Sequence, residues 1–201
     1  MTDPAEISIP ERLMTFEEFL AWYEALPKEA GRFELWDGRV IAKHGGAGSM
    51  NAERAGHARM KSRLARALEA SLRAAAVQGE VLIDGVQVPL ANRQRNAEPD
   101  VLLYLGVPVS NDALIVPEPV IVCEVLSPST AKHDMSAKLE AYFTLPSVQH
   151  YIIGDPDKPL LIVHSRGTGD ALTTRLVSDP AATLRLDPPG LELTLTEILG
   201  R

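Results

Sequence analysis

Val120-Ile121-Val122-Cys123-Glu124-Val125-Leu126 sets one carboxylate inside six apolar residues. Such a run reads as a strand covered on both faces. Ionised carboxylates are rare in these runs, because desolvating one costs on the order of several kcal/mol. Upstream, Asp100-Val101-Leu102-Leu103-Tyr104-Leu105 is a second strand-like run, separated from the first by residues 106–118. If the two pair antiparallel with Leu105 against Pro119, partner numbers sum to 224 and Asp100 falls opposite Glu124. Directly opposed residues share a face, with Cβ atoms about 4.5–5.5 Å apart. Two carboxylates so close repel unless something neutralises them. A divalent cation does so, and magnesium or manganese prefers oxygen ligands. The competing reading pairs Glu124 with a buried Arg or Lys, or gives the strands another register.

Working outward, the chain of 201 residues suits one α/β domain over 1–201, with residues 1–12 expected as a disordered tail. It is 45% hydrophobic and 23% charged, an ordinary globular balance. The lone Cys123 cannot form an internal bridge. With no signal-like or membrane-spanning run, a cytoplasmic location and no membrane partner are expected. The net charge of −7 argues against a general nucleic-acid binder. Its distribution is uneven, however. Arg54 to Arg95 holds eight Lys or Arg against Glu69, Glu80 and Asp84, so the excess of acid lies elsewhere. A basic strip on an acidic body suits a protein that meets phosphates along one face.

Thr15 and Glu18 have capping-box spacing, with Met14 and Phe19 as the hydrophobic staple of a helix ending near Pro27. Phe33 to Ile41 reads as two strands around Asp37-Gly38. Lys43 to Asn51 is glycine-rich and reads as a mobile loop. A long helix is expected from about residue 53 to 77, its apolar stripe Met60, Leu64, Leu68 and Leu72, with Arg59, Arg63 and Arg66 off it. Val81 to Leu90 reads as strand broken at Asp84-Gly85, and Asn92 to Asn96 as a polar turn. Beyond Glu124, Asp134–Thr144 is expected as helix, and 151–153, 160–165 and 172–177 as strands. Residues 191–199 suggest a small strand and a helical turn. The fold class is α/β (an α+β mixed sheet), a long helix preceding a central mixed β-sheet.

The succession Phe33-Glu34-Leu35-Trp36-Asp37-Gly38, Pro99-Asp100-Val101, Cys123-Glu124-Val125-Leu126-Ser127-Pro128-Ser129-Thr130, Asp134, Lys138, Tyr142 and Tyr151-Ile152-Ile153-Gly154-Asp155-Pro156 resembles the Uma-two family. That family is classed with restriction endonucleases, within the PD-(D/E)XK nuclease superfamily. The resemblance runs from about residue 15 to 199. It implies a restriction-endonuclease-like core, a carboxylate-held magnesium ion and nuclease chemistry, with Glu34 as an additional metal-site acid.

The superfamily pattern expects lysine two residues after the Glu, and here Leu126 stands there. Leucine can neither orient water nor stabilise charge on the phosphate. Lys138 is the candidate replacement: Asp134, Lys138 and Tyr142 recur every four residues and share a helical face. The bland alternative is a surface pair of Asp134 and Lys138. His57, early in the basic helix, is a candidate for phosphate or metal-water contact, beside Arg59, Arg63 and Arg66 as nucleic-acid contacts. Asp84 and Glu98 are further neighbours that could join the ligand set. No P-loop, dinucleotide fingerprint or zinc spacing occurs in the sequence.

Two functions compete. One is a magnesium- or manganese-dependent endonuclease acting on DNA, with catalytic Asp100, Glu124 and Lys138, metal ligands Asp100, Glu124 and Glu34, and a homodimeric assembly. The other is a non-catalytic nucleic-acid-binding protein on the same scaffold, its activity lost with the strand lysine. A small-molecule hydrolase using the same carboxylates ranks third.

Overall fold

The two middle strands adopt the expected register. In the computed structural model, which describes residues 7–27, 30–43, 54–126 and 134–200, Val101 faces Cys123, Leu102 faces Val122 and Leu103 faces Ile121. Continued by one residue, that pairing sets Asp100 opposite Glu124.

In chain order the elements are α1 (Phe16–Glu24), β1 (Arg32–Trp36), β2 (Arg39–Lys43), α2 (Ala55–Ala75), β3 (Gly79–Ile83), β4 (Val88–Leu90) and β5 (Arg95–Ala97). Then come β6 (Val101–Leu105), β7 (Ile121–Val125), α3 (Asp134–Phe143), β8 (His150–Asp155), β9 (Leu160–Arg166) and β10 (Leu172–Val177). The hairpin β11 (Thr183–Leu186) and β12 (Leu191–Thr194) leads into α4 (Leu195–Leu199). The central sheet is mixed, in the order β10-β9-β8-β7-β6-β3. Only β7 and β8 run parallel, joined by the crossover that contains α3. A second sheet has the order β2-β1-β5-β4.

Strand periodicity decides what covers each face of the central sheet. Val101, Leu103, Ile121, Cys123 and Val125 turn to one side and pack on α2, the β11–β12 hairpin and α4. Leu102, Tyr104 and Val122 turn to the other, meeting α3 and the Val88, Leu90 and Ala97 face of the second sheet. Glu124, next to Cys123, therefore points towards α3, and Cys123 is wholly buried on the α2 side. Burial raises the thiol's pKa far above its ordinary value, so it stays protonated core.

The Thr15–Glu18 capping box forms in both directions, and Met14 and Phe19 are buried beside it. Asp37 and Gly38 both take positive φ, the conformation a tight hairpin turn between β1 and β2 requires. Asp84 and Gly85 do the same, but the turn there sends β3 into the central sheet and β4 into the second.

Other expectations are corrected. Arg95 and Asn96 belong to β5 rather than to a turn: backbone pairing with β1 and β4 overrides their polar side chains. The small strand and helical turn expected in 191–199 are β12 and α4, but the partner strand β11 was not expected, because a four-residue strand carries little periodicity. Lys43 ends β2 instead of opening a loop, and residues 44–51 lie outside the described residues, as do Ser127–Thr130. Of the expected tail, 1–6 is likewise outside, whereas Ile7 and Ile9 pack against the α1 core. Among the described residues, no helix is long and apolar enough to cross a membrane.

Candidate active site

Asp100 stands at the residue before β6, wholly buried, and each of its oxygens has a defined partner. Lys43 Nζ, from the end of β2, lies 3.0 Å from Oδ1. The backbone N–H of Val125 donates to Oδ2 at 2.8 Å. His57, in the first turns of α2, brings Nε2 to 3.4 Å from the same oxygen and to 3.0 Å from the Val125 carbonyl. A carbonyl only accepts, so His57 carries its proton on Nε2.

Across the strand pair, Glu124 Oε1 accepts from Tyr142 Oη at 2.9 Å and from Lys138 Nζ at 3.1 Å. Both donors come from α3, four residues apart, and both are buried. Glu124 Oε2 has a different neighbour: Lys43 Nζ at 3.9 Å. Lys138 also donates to Glu34 Oε1 at 3.0 Å. Glu34, inward-facing on β1, is held by Trp36 Nε1 at 3.1 Å and by the Glu98 backbone N–H at 3.2 Å. Two ammonium groups thus sit among three buried carboxylates.

The environments separate the acids. Burial pushes the Asp100 carboxyl up, but the Lys43 ammonium and the hydrogen bonds from His57 and Val125 outweigh it and hold the pKa well below the ordinary range. Burial acts on Glu124 in the same direction and wins: Lys138 and Lys43 offset it only in part, Asp100 and Glu34 add to it, and the pKa is raised. Glu34 is desolvated too, yet Lys138 and Lys43 bring its pKa below the usual value. Burial would lower the Lys43 pKa, but Glu124 and Asp100 raise it, so the lysine remains charged. Such divergence within a like-charged pair is what electrostatics predicts for two carboxylates sharing one site.

Of the residues singled out in the sequence, Asp100, Glu124, Glu34, Lys138 and His57 converge here. Lys138 is not displayed on the surface; it is buried between Glu34 and Glu124. Glu98 turns its carboxylate away, to Tyr23, Arg32, Gln87 and the Gly85 N–H. Asp84 pairs with Arg32 and with Lys61 at 2.6 Å. Lys43 was missed altogether: nothing in its sequence neighbourhood marks it, and only the second sheet brings it to Asp100.

The basic strip does not form one face. Lys61 is buried against Asp84, Arg93 pairs with Glu17 and Arg95 with Asp37. Arg63 donates to the Leu199 carbonyl at the end of α4. Only Arg59 and Arg66 of the three expected phosphate contacts are exposed, and His57 is buried under the site rather than displayed for nucleic acid.

The comparisons agree with this architecture. Two uncharacterised proteins of Synechocystis sp. PCC 6803 are similar in sequence: slr1290 at 26% identity over 82% of this chain and 81% of its own length, and sll1609 at 27% over 72% and 76%. The crystal structure of a "putative nuclease belonging to DUF820" from Anabaena variabilis shares the fold, with a TM-score of 0.70 at 17% identity, covering 93% of this chain and 98% of that one. Residues 16–196 match the family described as "Uma2: Putative restriction endonuclease". The chain belongs to the Uma2 family.

Proposed function

We propose that the protein is a magnesium- or manganese-dependent endonuclease acting on DNA, with Asp100 and Glu124 as the ligands of the ion. The observation that carries this reading is the convergence of Asp100 Oδ1 and Glu124 Oε2 on a single cationic group. Hard carboxylate oxygens are the donors these ions prefer. Among the described residues, no three His, Cys, Asp or Glu side chains form a ready cage for a metal. That suits magnesium, which keeps several waters and completes its shell with substrate phosphate rather than protein. Bound between the carboxylates, the ion would supply Lewis acidity to the phosphodiester and lower the pKa of the attacking water.

The chain's own groups do the rest. Tyr142 fixes the Glu124 carboxylate, and His57 with the Val125 N–H fixes Asp100. Glu34 has both oxygens engaged by Trp36, Glu98 and Lys138, so its first task is to hold Lys138. Lys138 supplies the positive charge that Leu126 cannot, and stabilises charge building on the scissile phosphate. The descriptions of the family and of the Anabaena protein favour nucleic acid as substrate.

A single-turnover cleavage assay on plasmid and linear DNA, with magnesium and with manganese, tests the proposal. Asp100→Asn and Glu124→Gln should each abolish cleavage, and so should chelation. Variants that cut as well as wild type would refute the site. Wild-type protein that binds DNA but cuts with neither metal would be the non-catalytic scaffold instead.

A further inference from the structure

The carboxylates of Asp100 and Glu124 each have one oxygen committed to neutral or helix-borne donors. Asp100 Oδ2 takes the Val125 N–H and His57, and Glu124 Oε1 takes Tyr142 and Lys138. The remaining oxygens, Asp100 Oδ1 and Glu124 Oε2, both face Lys43 Nζ, at 3.0 and 3.9 Å. That ammonium is buried, its side chain 4% exposed, and its third contact is the Glu98 carbonyl. Every polar partner of Lys43 among the described residues is therefore an oxygen of the sort a hard cation would take.

We infer that Lys43 is a resident counter-cation, which occupies the place of the divalent ion in the metal-free protein and must leave for the ion to bind. The physical need is plain. Without a metal, two desolvated carboxylates on opposed strands would repel, and a buried unpaired charge is strongly destabilising. The Lys43 ammonium removes that repulsion with one charge on a flexible stem, so it can depart without moving β2. Lys138 has no such freedom, since Glu34 holds it from the far side. The two lysines divide the work: Lys138 stays beside the site, and Lys43 exchanges. Metal affinity is then set by a competition inside the protein, as an equilibrium between a lysine-closed and a metal-bound form. Lys43 becomes a determinant of how much metal the site requires.

This inference rests on the metal reading proposed above, and the test separates the two. Calorimetric titration of manganese into wild type, Lys43→Met and Asp100→Asn, without nucleic acid, reads the competition directly. Methionine keeps the stem and removes the charge. Lys43→Met should bind manganese at least tenfold more tightly than wild type, and Asp100→Asn should lose binding. Equal or weaker binding by Lys43→Met, with binding lost in Asp100→Asn, overturns the exchange and leaves the metal site standing. Unchanged binding by Asp100→Asn overturns the metal reading, and the exchange with it. Should Lys43→Met fail to fold, reductive methylation of the wild-type protein decides the matter. Lys43 should be protected in the presence of chelator and labelled once manganese is added. Protection in both conditions overturns the exchange.

Discussion

Asp100 and Glu124 are carboxylates facing each other across one strand pair, yet removing the charge should have unequal consequences at the two positions. For Asp100 the folded pKa is depressed, so its contribution to stability is present above the unfolded pKa and is lost as pH falls through the folded value. For Glu124 the folded pKa is raised, so its contribution is present below the unfolded pKa and is lost as pH rises through the folded value. Ionisation of Asp100 therefore adds to the stability of the metal-free protein, whereas ionisation of Glu124 subtracts from it. Asp100→Asn strands the buried Lys43 ammonium and should cost about 3 kcal/mol or more. Glu124→Gln keeps an acceptor for Tyr142 and should stay within about 1 kcal/mol. Urea denaturation in chelator measures both; equal losses would mean that the pair is not split as the geometry requires. The sequence showed the pair, through two apolar runs and one register. It offered Lys138 as a cation near Glu124 but not Lys43, the ammonium bonded to Asp100.

Among elements, α3 decides whether the missing strand lysine matters. It leaves the sheet after β7 and returns at β8, so its inward face lies over Glu124. Lys138 and Tyr142, one turn apart, both bond to Oε1 of that residue. Spacing alone favoured reading Lys138 as half of a surface pair, because a four-residue period says which side chains share a face but not what the face meets. Lys43 was illegible for a related reason: β2 enters the site through β1, and no local pattern reports contacts between sheets. Lys138→Ala should lower single-turnover cleavage by roughly 100-fold or more while changing DNA affinity little, the signature of a charge needed chiefly in the transition state. Leu126 packs partly buried against the α3 side of the sheet, the side Glu124 faces. Leu126→Lys in the Lys138→Ala background should therefore return part of the rate. Cleavage at wild-type rate by Lys138→Ala would leave the lysine a structural partner of Glu34.

At the scale of the molecule, the electrostatics oppose the proposed substrate. A net charge of −7 repels a polyanion, so any attraction has to be local. Composition located a basic segment correctly but could not say where its side chains go, and the fold uses some of them internally. Lys61 is buried against Asp84, and Arg63 is tied to the end of α4. Arg59 and Arg66 remain exposed on α2, seven residues apart and so about 10.5 Å along one side of the helix at 1.5 Å per residue. Arg59 lies two residues beyond His57, only about 3 Å further along the axis but roughly 200° around it, so it shares the site's end of α2 while facing away from the buried His57. If these two arginines contact phosphates, replacing both with glutamine should weaken DNA binding and reduce the slope of log affinity against log salt by up to about 1.8, at roughly 0.9 per contact on duplex. Arg63→Gln should leave that slope unchanged and instead lower thermal stability, because it removes a cation from a helix C-terminus and leaves the Leu199 carbonyl without its donor. Fluorescence anisotropy across a salt series, paired with thermal melts, separates the two effects. A slope that falls equally for Arg63→Gln would restore the basic strip as one surface, and would require the arginine to release α4 when DNA binds.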